Sequence, residues 1–121
     1  MVIVVTAVVG AFFLAMGGYA LAAPGATMRS FAIHLTEPRS RYEVRAVYGG
    51  FGIAMAVVLA IAALDPGSTR TGIMIAVGAA LAGMAAGRLI SVLLDDRTSF
   101  YPNWFYCLVE AVAATALLIA A

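Results

Sequence analysis

Four stretches of this chain, residues 1–21, 44–64, 72–94 and 101–121, are each apolar over about the length of one bilayer. The hydrocarbon core of a membrane is ~30 Å thick, and a helix needs ~20 apolar residues to cross it. Together the four stretches leave almost nothing outside the membrane. Hydrophobic residues make up 64% of the chain and charged residues 11%, against ~25% charged in an ordinary soluble domain. A soluble fold of 121 residues has no interior large enough to hide that much apolar surface. Lipid is therefore the solvent that the sequence requires.

The connections are short. Pro24-Gly25 breaks the chain after the first stretch, as this dipeptide ordinarily does. Residues 25–35 then place Met28, Phe31 and Leu35 on one face and Arg29, Ser30 and His34 on another, which predicts a short interfacial helix. Ser40-Arg-Tyr-Glu43 has the spacing of a capping box and predicts a helix start near Arg41. Residues 64–70 and 95–102 are tight turns, and Pro102 suits a first helical position. Short links make consecutive spans antiparallel. The expected fold is all-α: an integral membrane, antiparallel four-transmembrane-helix bundle with a short interfacial helix between spans 1 and 2, forming one domain over residues 1–121. Tyr19–Ala26 resembles a small-residue cleavage site, but no basic segment precedes the first apolar run, so residues 1–21 are expected to remain as the first span.

All seven basic residues are arginines. Arg29, Arg39, Arg41, Arg45 and Arg97 fall on one side of the expected bundle, and Arg70 on the other. The positive-inside rule puts the Arg-rich side in the cytoplasm and both termini outside. Phe100, Tyr101, Trp104, Phe105 and Tyr106 form an aromatic belt at the same boundary. A lysine-free, Ala/Val/Gly-rich composition suggests a GC-rich bacterial genome, and with four spans the expected location is the bacterial inner membrane. Net charge is +1, which gives no field to attract nucleic acid.

Two charges lie well inside the apolar stretches. Arg88 is seven residues before Asp95, and Glu110 eight after Pro102, so both sit ~10–12 Å below the same boundary. They are symmetric about Ser99 in the third-to-fourth hairpin, which predicts an ion pair. Glu43, Arg45 and Tyr48 enter the same half of the membrane, and with Arg88 and Glu110 they define a candidate buried polar cluster. Each has a plainer reading. Glu43 completes the capping box, Arg45 snorkels to the interface, and Arg88–Glu110 is a structural clasp. The functional readings are a proton relay through Glu110, or an anionic lipid or substrate group held by Arg45 and Arg88. Cys107 reads as a packing residue and His34 as a solvated one. The sequence points to no metal and no cofactor.

Small residues recur every fourth position, as Gly52, Ala56 and Ala60 in the second span and Ala79, Gly83 and Gly87 in the third. Gly49 extends the face that Arg45 and Gly52 share. Such spacing lets backbones approach closely in lipid, so Gly49, Gly52, Ala56, Gly83 and Gly87 are the expected helix-packing positions, whether inside the bundle or between subunits.

The run Glu43-Val-Arg-Ala-Val-Tyr-Gly-Gly, with Gly87-Arg88 and Glu110, resembles an uncharacterised family of small bacterial four-helix membrane proteins, a domain of unknown function. The resemblance covers nearly the whole chain. It implies four spans and a shared polar cluster, and it brings no reaction. No nucleophile elbow, phosphate loop, zinc-binding helix or paired cysteines are present in the sequence. The expectation is therefore a non-enzymatic protein. The first reading is an accessory or assembly subunit of a larger membrane complex, with the lipid bilayer and other membrane subunits as partners. The alternative is a small homo-oligomeric transporter or channel that uses Glu110 as its proton or cation site. A membrane-embedded enzyme acting on lipids is the weakest reading.

Overall fold

A computed structural model describes residues 1–121. Six α-helices follow one another: α1 (Val2–Ala22), α2 (Pro24–Arg29), α3 (Pro38–Val44), α4 (Phe51–Leu64), α5 (Ser68–Leu94) and α6 (Phe105–Ala120). A wide π-helical turn, Arg45–Gly50, joins α3 to α4 without a break, so Pro38–Leu64 is one span. A second wide turn, Phe100–Trp104, leads into α6. Four helices, Val2–Ala22, Pro38–Leu64, Ser68–Leu94 and Phe100–Ala120, are long and apolar enough to cross a membrane.

The bundle has two ends. Both chain termini and the α4–α5 turn lie at one. The other, the loop end, collects the C-terminus of α1, all of α2 and α3, the C-terminus of α5 and the start of α6. The tightest pairings are α1 with α4 and α5 with α6. Val9, Leu59, Met74, Val77, Leu81, Ala114 and Leu117 form the shared core nearer the terminal end. The looser seam between α1 and α6 leaves an apolar groove of about 530 Å³. Large side chains elsewhere point outward: Ile3, Val8 and Leu14 on α1, Val57 and Ile61 on α4, Val112 and Ile119 on α6 are all exposed. A continuous apolar exterior of this kind belongs in lipid, and the chain is a multi-pass membrane protein.

Local chemistry explains the ends, with some departures from the expected pattern. The second span begins at Pro38, not near Arg41, and Glu37 precedes it with no side-chain cap bond. Proline's fixed φ suits the first helical turn, so Pro38 starts the helix and the Ser40–Glu43 capping box is not used. The third span also starts early, at Ser68. Arg70 explains that turn: its Nε donates to Ala62 O (2.6 Å) and its Nη2 to Ala63 O (2.9 Å), covering carbonyls that the end of α4 leaves open. Tyr101 is extended (φ −94°, ψ 135°), as a residue before proline prefers, and helical geometry is entered at Pro102.

The interfacial helix is shorter than the 25–35 pattern predicts. Regular helix ends at Arg29. Ile33 N–H then donates to Met28 O (3.1 Å) and Ala32 N–H to Arg29 O (3.0 Å). This is a Schellman closure, with Ala32 at φ 59° in the left-handed position that glycine usually fills. The closure turns Phe31 back over the bundle.

Candidate functional site

Arg88 and Glu110 face each other across the α5–α6 seam. Arg88 Nε donates to Glu110 Oε2 (2.9 Å) and Oε1 (3.1 Å), and Nη2 donates to Oε1 (3.0 Å). Both carboxylate oxygens are therefore engaged by one planar guanidinium, a geometry that arginine makes and lysine does not. The Glu110 side chain is 5% exposed and that of Arg88 23%. Two isolated charges at this depth would each cost ~2.5–3.5 kcal/mol to insert. Pairing removes the net charge, and the three hydrogen bonds replace lost hydration. No buried side-chain nitrogen or oxygen in the chain lacks a partner.

Aromatic side chains close over the pair. The Arg88 guanidinium carbon lies 5.5 Å from the Tyr106 ring centre and 5.8 Å from that of Phe31, within cation–π range. The two rings are 5.5 Å apart. Tyr106 arrives on α6, four residues before Glu110, whereas Phe31 comes from the far side of the sequence through the Schellman turn. The chain's first half thus touches its second half at the charge pair. Cys107, buried, faces Ala85 O at 3.8 Å, as a weak donor in a packed seam.

The rest of the sequence-derived cluster lies elsewhere. Arg45 is half-buried, and its Nε donates to Leu21 O (2.9 Å) at the end of α1. Glu43 and Tyr48 are exposed. The face carrying Arg45, Gly49 and Gly52 does exist, but it is turned toward α1, not toward Arg88 and Glu110. Phe31 belongs to the site and is absent from the sequence-derived set. Its spacing from Met28 marks it only as apolar, and nothing local announces the turn that delivers it.

The small-residue positions divide in the same way. A Cβ placed on Gly49 would lie 2.7 Å from Leu21 Cδ2, and one on Gly52 would lie 3.0 Å from Gly17 Cα. Ala56 O lies near Gly10 across the same seam. These three residues pack the span Pro38–Leu64 on α1. Gly83 and Gly87 do not pack within the bundle: both are exposed, and a Cβ on either would meet nothing within 4 Å. The α5 glycine that does pack is Gly78, beneath Leu118. The chain's titratable residues are dispersed, and no three of its His, Cys, Asp and Glu side chains converge as metal ligands would.

These features define a class: a small multi-pass membrane protein made of two tight helix pairs, clasped by a buried arginine–glutamate bridge. Within that class the chain belongs to the family described as a domain of unknown function (DUF4345), which matches it over residues 2–121. Comparison with curated proteins and with solved structures gives no match.

Proposed function

We propose that this protein is a non-catalytic accessory or assembly subunit of a larger bacterial inner-membrane complex, such as a multi-subunit transporter or respiratory assembly. Its Arg-rich loop end faces the cytoplasm and both termini face outward. The reading rests on one observation, the outer face of α5. Helix α5 buries Met74, Val77, Gly78, Leu81 and Ala85. Its opposite side carries Gly72, Ala76, Ala79, Gly83 and Gly87, all exposed. That strip runs ~22 Å along the helix. The outward side of α1 also carries exposed alanines, Ala7, Ala11 and Ala15, but with Val8 and Leu14 among them, and those of α4 and α6 carry mainly Val, Leu and Ile; of these four helices only α5 exposes glycines. Bare backbone gains little from fluid lipid tails and much from a closely packed helix, because packing drives association where there is no hydrophobic force between helices.

The transporter alternative would route protons or cations through Glu110. Both oxygens of that carboxylate are already held by Arg88, which favours a structural clasp. The clasp and its aromatic cover then serve to hold α5 at a fixed angle for its partner.

Purification of the tagged protein from its own membrane in mild detergent tests the proposal. Wild type should carry stoichiometric foreign membrane subunits. Gly83→Leu should lose them while its melting temperature does not fall, since a side chain begun at position 83 meets nothing inside the bundle and leucine favours the helix over glycine. Recovery of the wild type alone, or only with copies of itself, in several detergents and lipids would overturn the reading.

A further inference from the structure

Four arginines at the loop end, Arg29, Arg41, Arg45 and Arg97, have no carboxylate partner; Arg29 and Arg97 are exposed, and the other two lie together. Arg41 and Arg45 lie one helical turn apart, with the Arg45 N–H bonded to Arg41 O. Both are half-buried. The chain's ion pairs are Arg39–Glu37 and Arg88–Glu110, so neither Arg41 nor Arg45 has a carboxylate within reach. Glu43, between them in sequence, is exposed and lies about 200° around the helix from Arg41, given ~3.6 residues per turn. Glu37 is taken by Arg39, and Asp95 and Asp96 form no ion pair. Like charges at this spacing repel, and the fold keeps them together. Arg45 is also fixed in place: its Nε is held by Leu21 O, and Gly49, one turn on, is pressed against Leu21. Its two amino groups keep their donors free, as do all those of Arg41.

The depth of this pair is informative. The span Pro38–Leu64 has 27 residues, about 40 Å of helix, which matches a bilayer with its headgroup layers included. The first turn therefore lies among headgroups, and Arg45, seven residues or ~10 Å in, stands ~5 Å below the boundary, where a long arginine side chain reaches back to the headgroups. Tyr42 and Tyr48, both exposed, flank it as interfacial anchors.

We propose that Arg41 and Arg45 bind the phosphate of an anionic phospholipid headgroup. Two arginines one helical turn apart each carry a guanidinium fork suited to phosphate oxygens, and basic pockets beside transmembrane helices at the cytoplasmic surface select anionic lipids. Arg88, also a candidate anion holder in the sequence, is excluded from this site because Glu110 occupies it. The assignment stands independently of any partner at α5.

The test is native mass spectrometry and thermal melting of the purified protein in bicelles of phosphatidylcholine, with or without phosphatidylglycerol of the same chains. Wild type should retain phosphatidylglycerol and melt higher in its presence. Arg41→Gln should cut retention about ten-fold, the loss expected of one charge-assisted contact to phosphate. Arg41 donates no side-chain hydrogen bond inside the protein, so melting of this variant in phosphatidylcholine alone should not change. Arg41→Lys, which keeps the charge, should retain an intermediate amount, and this comparison holds if the glutamine variant folds poorly. Arg97→Gln, at an exposed arginine of the same end, should behave as wild type. Equal retention by Arg41→Gln and wild type would overturn the site, as would an equal loss in Arg97→Gln. Stabilisation by inorganic phosphate matching that by phosphatidylglycerol would make the ligand a soluble anion and overturn the lipid assignment.

Discussion

Gly17 and Gly18 are adjacent in α1, and substitution by alanine should move stability in opposite directions at the two positions. A Cβ on Gly17 would stand 2.8 Å from Gly49 O and Ile53 N and 3.1 Å from Gly52 C. All three are backbone atoms in the middle of a span and cannot rotate away. Ordinary contact begins at 3.4 Å, so α1 and α4 must part by about 0.6 Å. A gap of that order forfeits a quarter to a half of each dispersion contact along the seam, and inserting a carbon into a packed interior typically costs about 1–3 kcal/mol. A Cβ on Gly18 meets nothing within 4 Å. There only the helix preference of alanine acts, a gain of up to about 1 kcal/mol. The two variants should differ by about 1–4 kcal/mol. Reversible unfolding in mixed micelles, driven by SDS and followed by circular dichroism, reads this difference directly. Equal shifts, or a Gly17→Ala variant as stable as wild type, would refute the close α1–α4 approach.

Three further outcomes rest on the same geometry. Arg88→Met strands the Glu110 carboxylate and should cost about 3 kcal/mol in the same titration, whereas Arg88→Glu combined with Glu110→Arg should recover part of the loss; equal damage in single and double variants would mean that the two residues do not interact. Ala32→Gly relieves a left-handed alanine and should raise stability by about 1 kcal/mol, with no gain expected if that turn is absent. Arg70→Gln uncovers the Ala62 and Ala63 carbonyls and should speed hydrogen exchange in the last turn of α4, notably at the Asp65 amide that bonds to Ile61 O, while leaving α6 unchanged.

The spans are legible in the sequence because hydropathy over ~20 residues reports a solvent and not a detail of packing. The Arg88–Glu110 partnership is legible too, because a tight hairpin turns sequence symmetry about Ser99 into equal depth. Which small-residue face of α5 turns inward is not. Gly78 and Gly83 both sit in runs of small residues, and helical period alone does not orient a helix that is apolar all round. Depth alone directs Arg45 toward the clasp, yet its helix pairs with α1 and its side chain reaches Leu21. Phe31 is illegible for a different reason. Its place depends on an alanine adopting a conformation that alanine seldom takes, and that is settled by the tertiary contact it makes with Tyr106 and Arg88. At the start of span 2 the sequence carries two competing signals, Pro38 and the capping pattern at Ser40. The proline prevails because its ring fixes φ outright, whereas a cap depends on a side-chain bond that the fold leaves unmade.

The claim that α5 presents its bare side to another protein is tested most directly in the native membrane. A photo-crosslinking amino acid placed at position 83, and for comparison at position 112 on the lipid face of α6, samples what touches each surface. A defined adduct with a foreign membrane subunit is expected at 83 and only lipid at 112. Lipid adducts alone at both positions would contradict it.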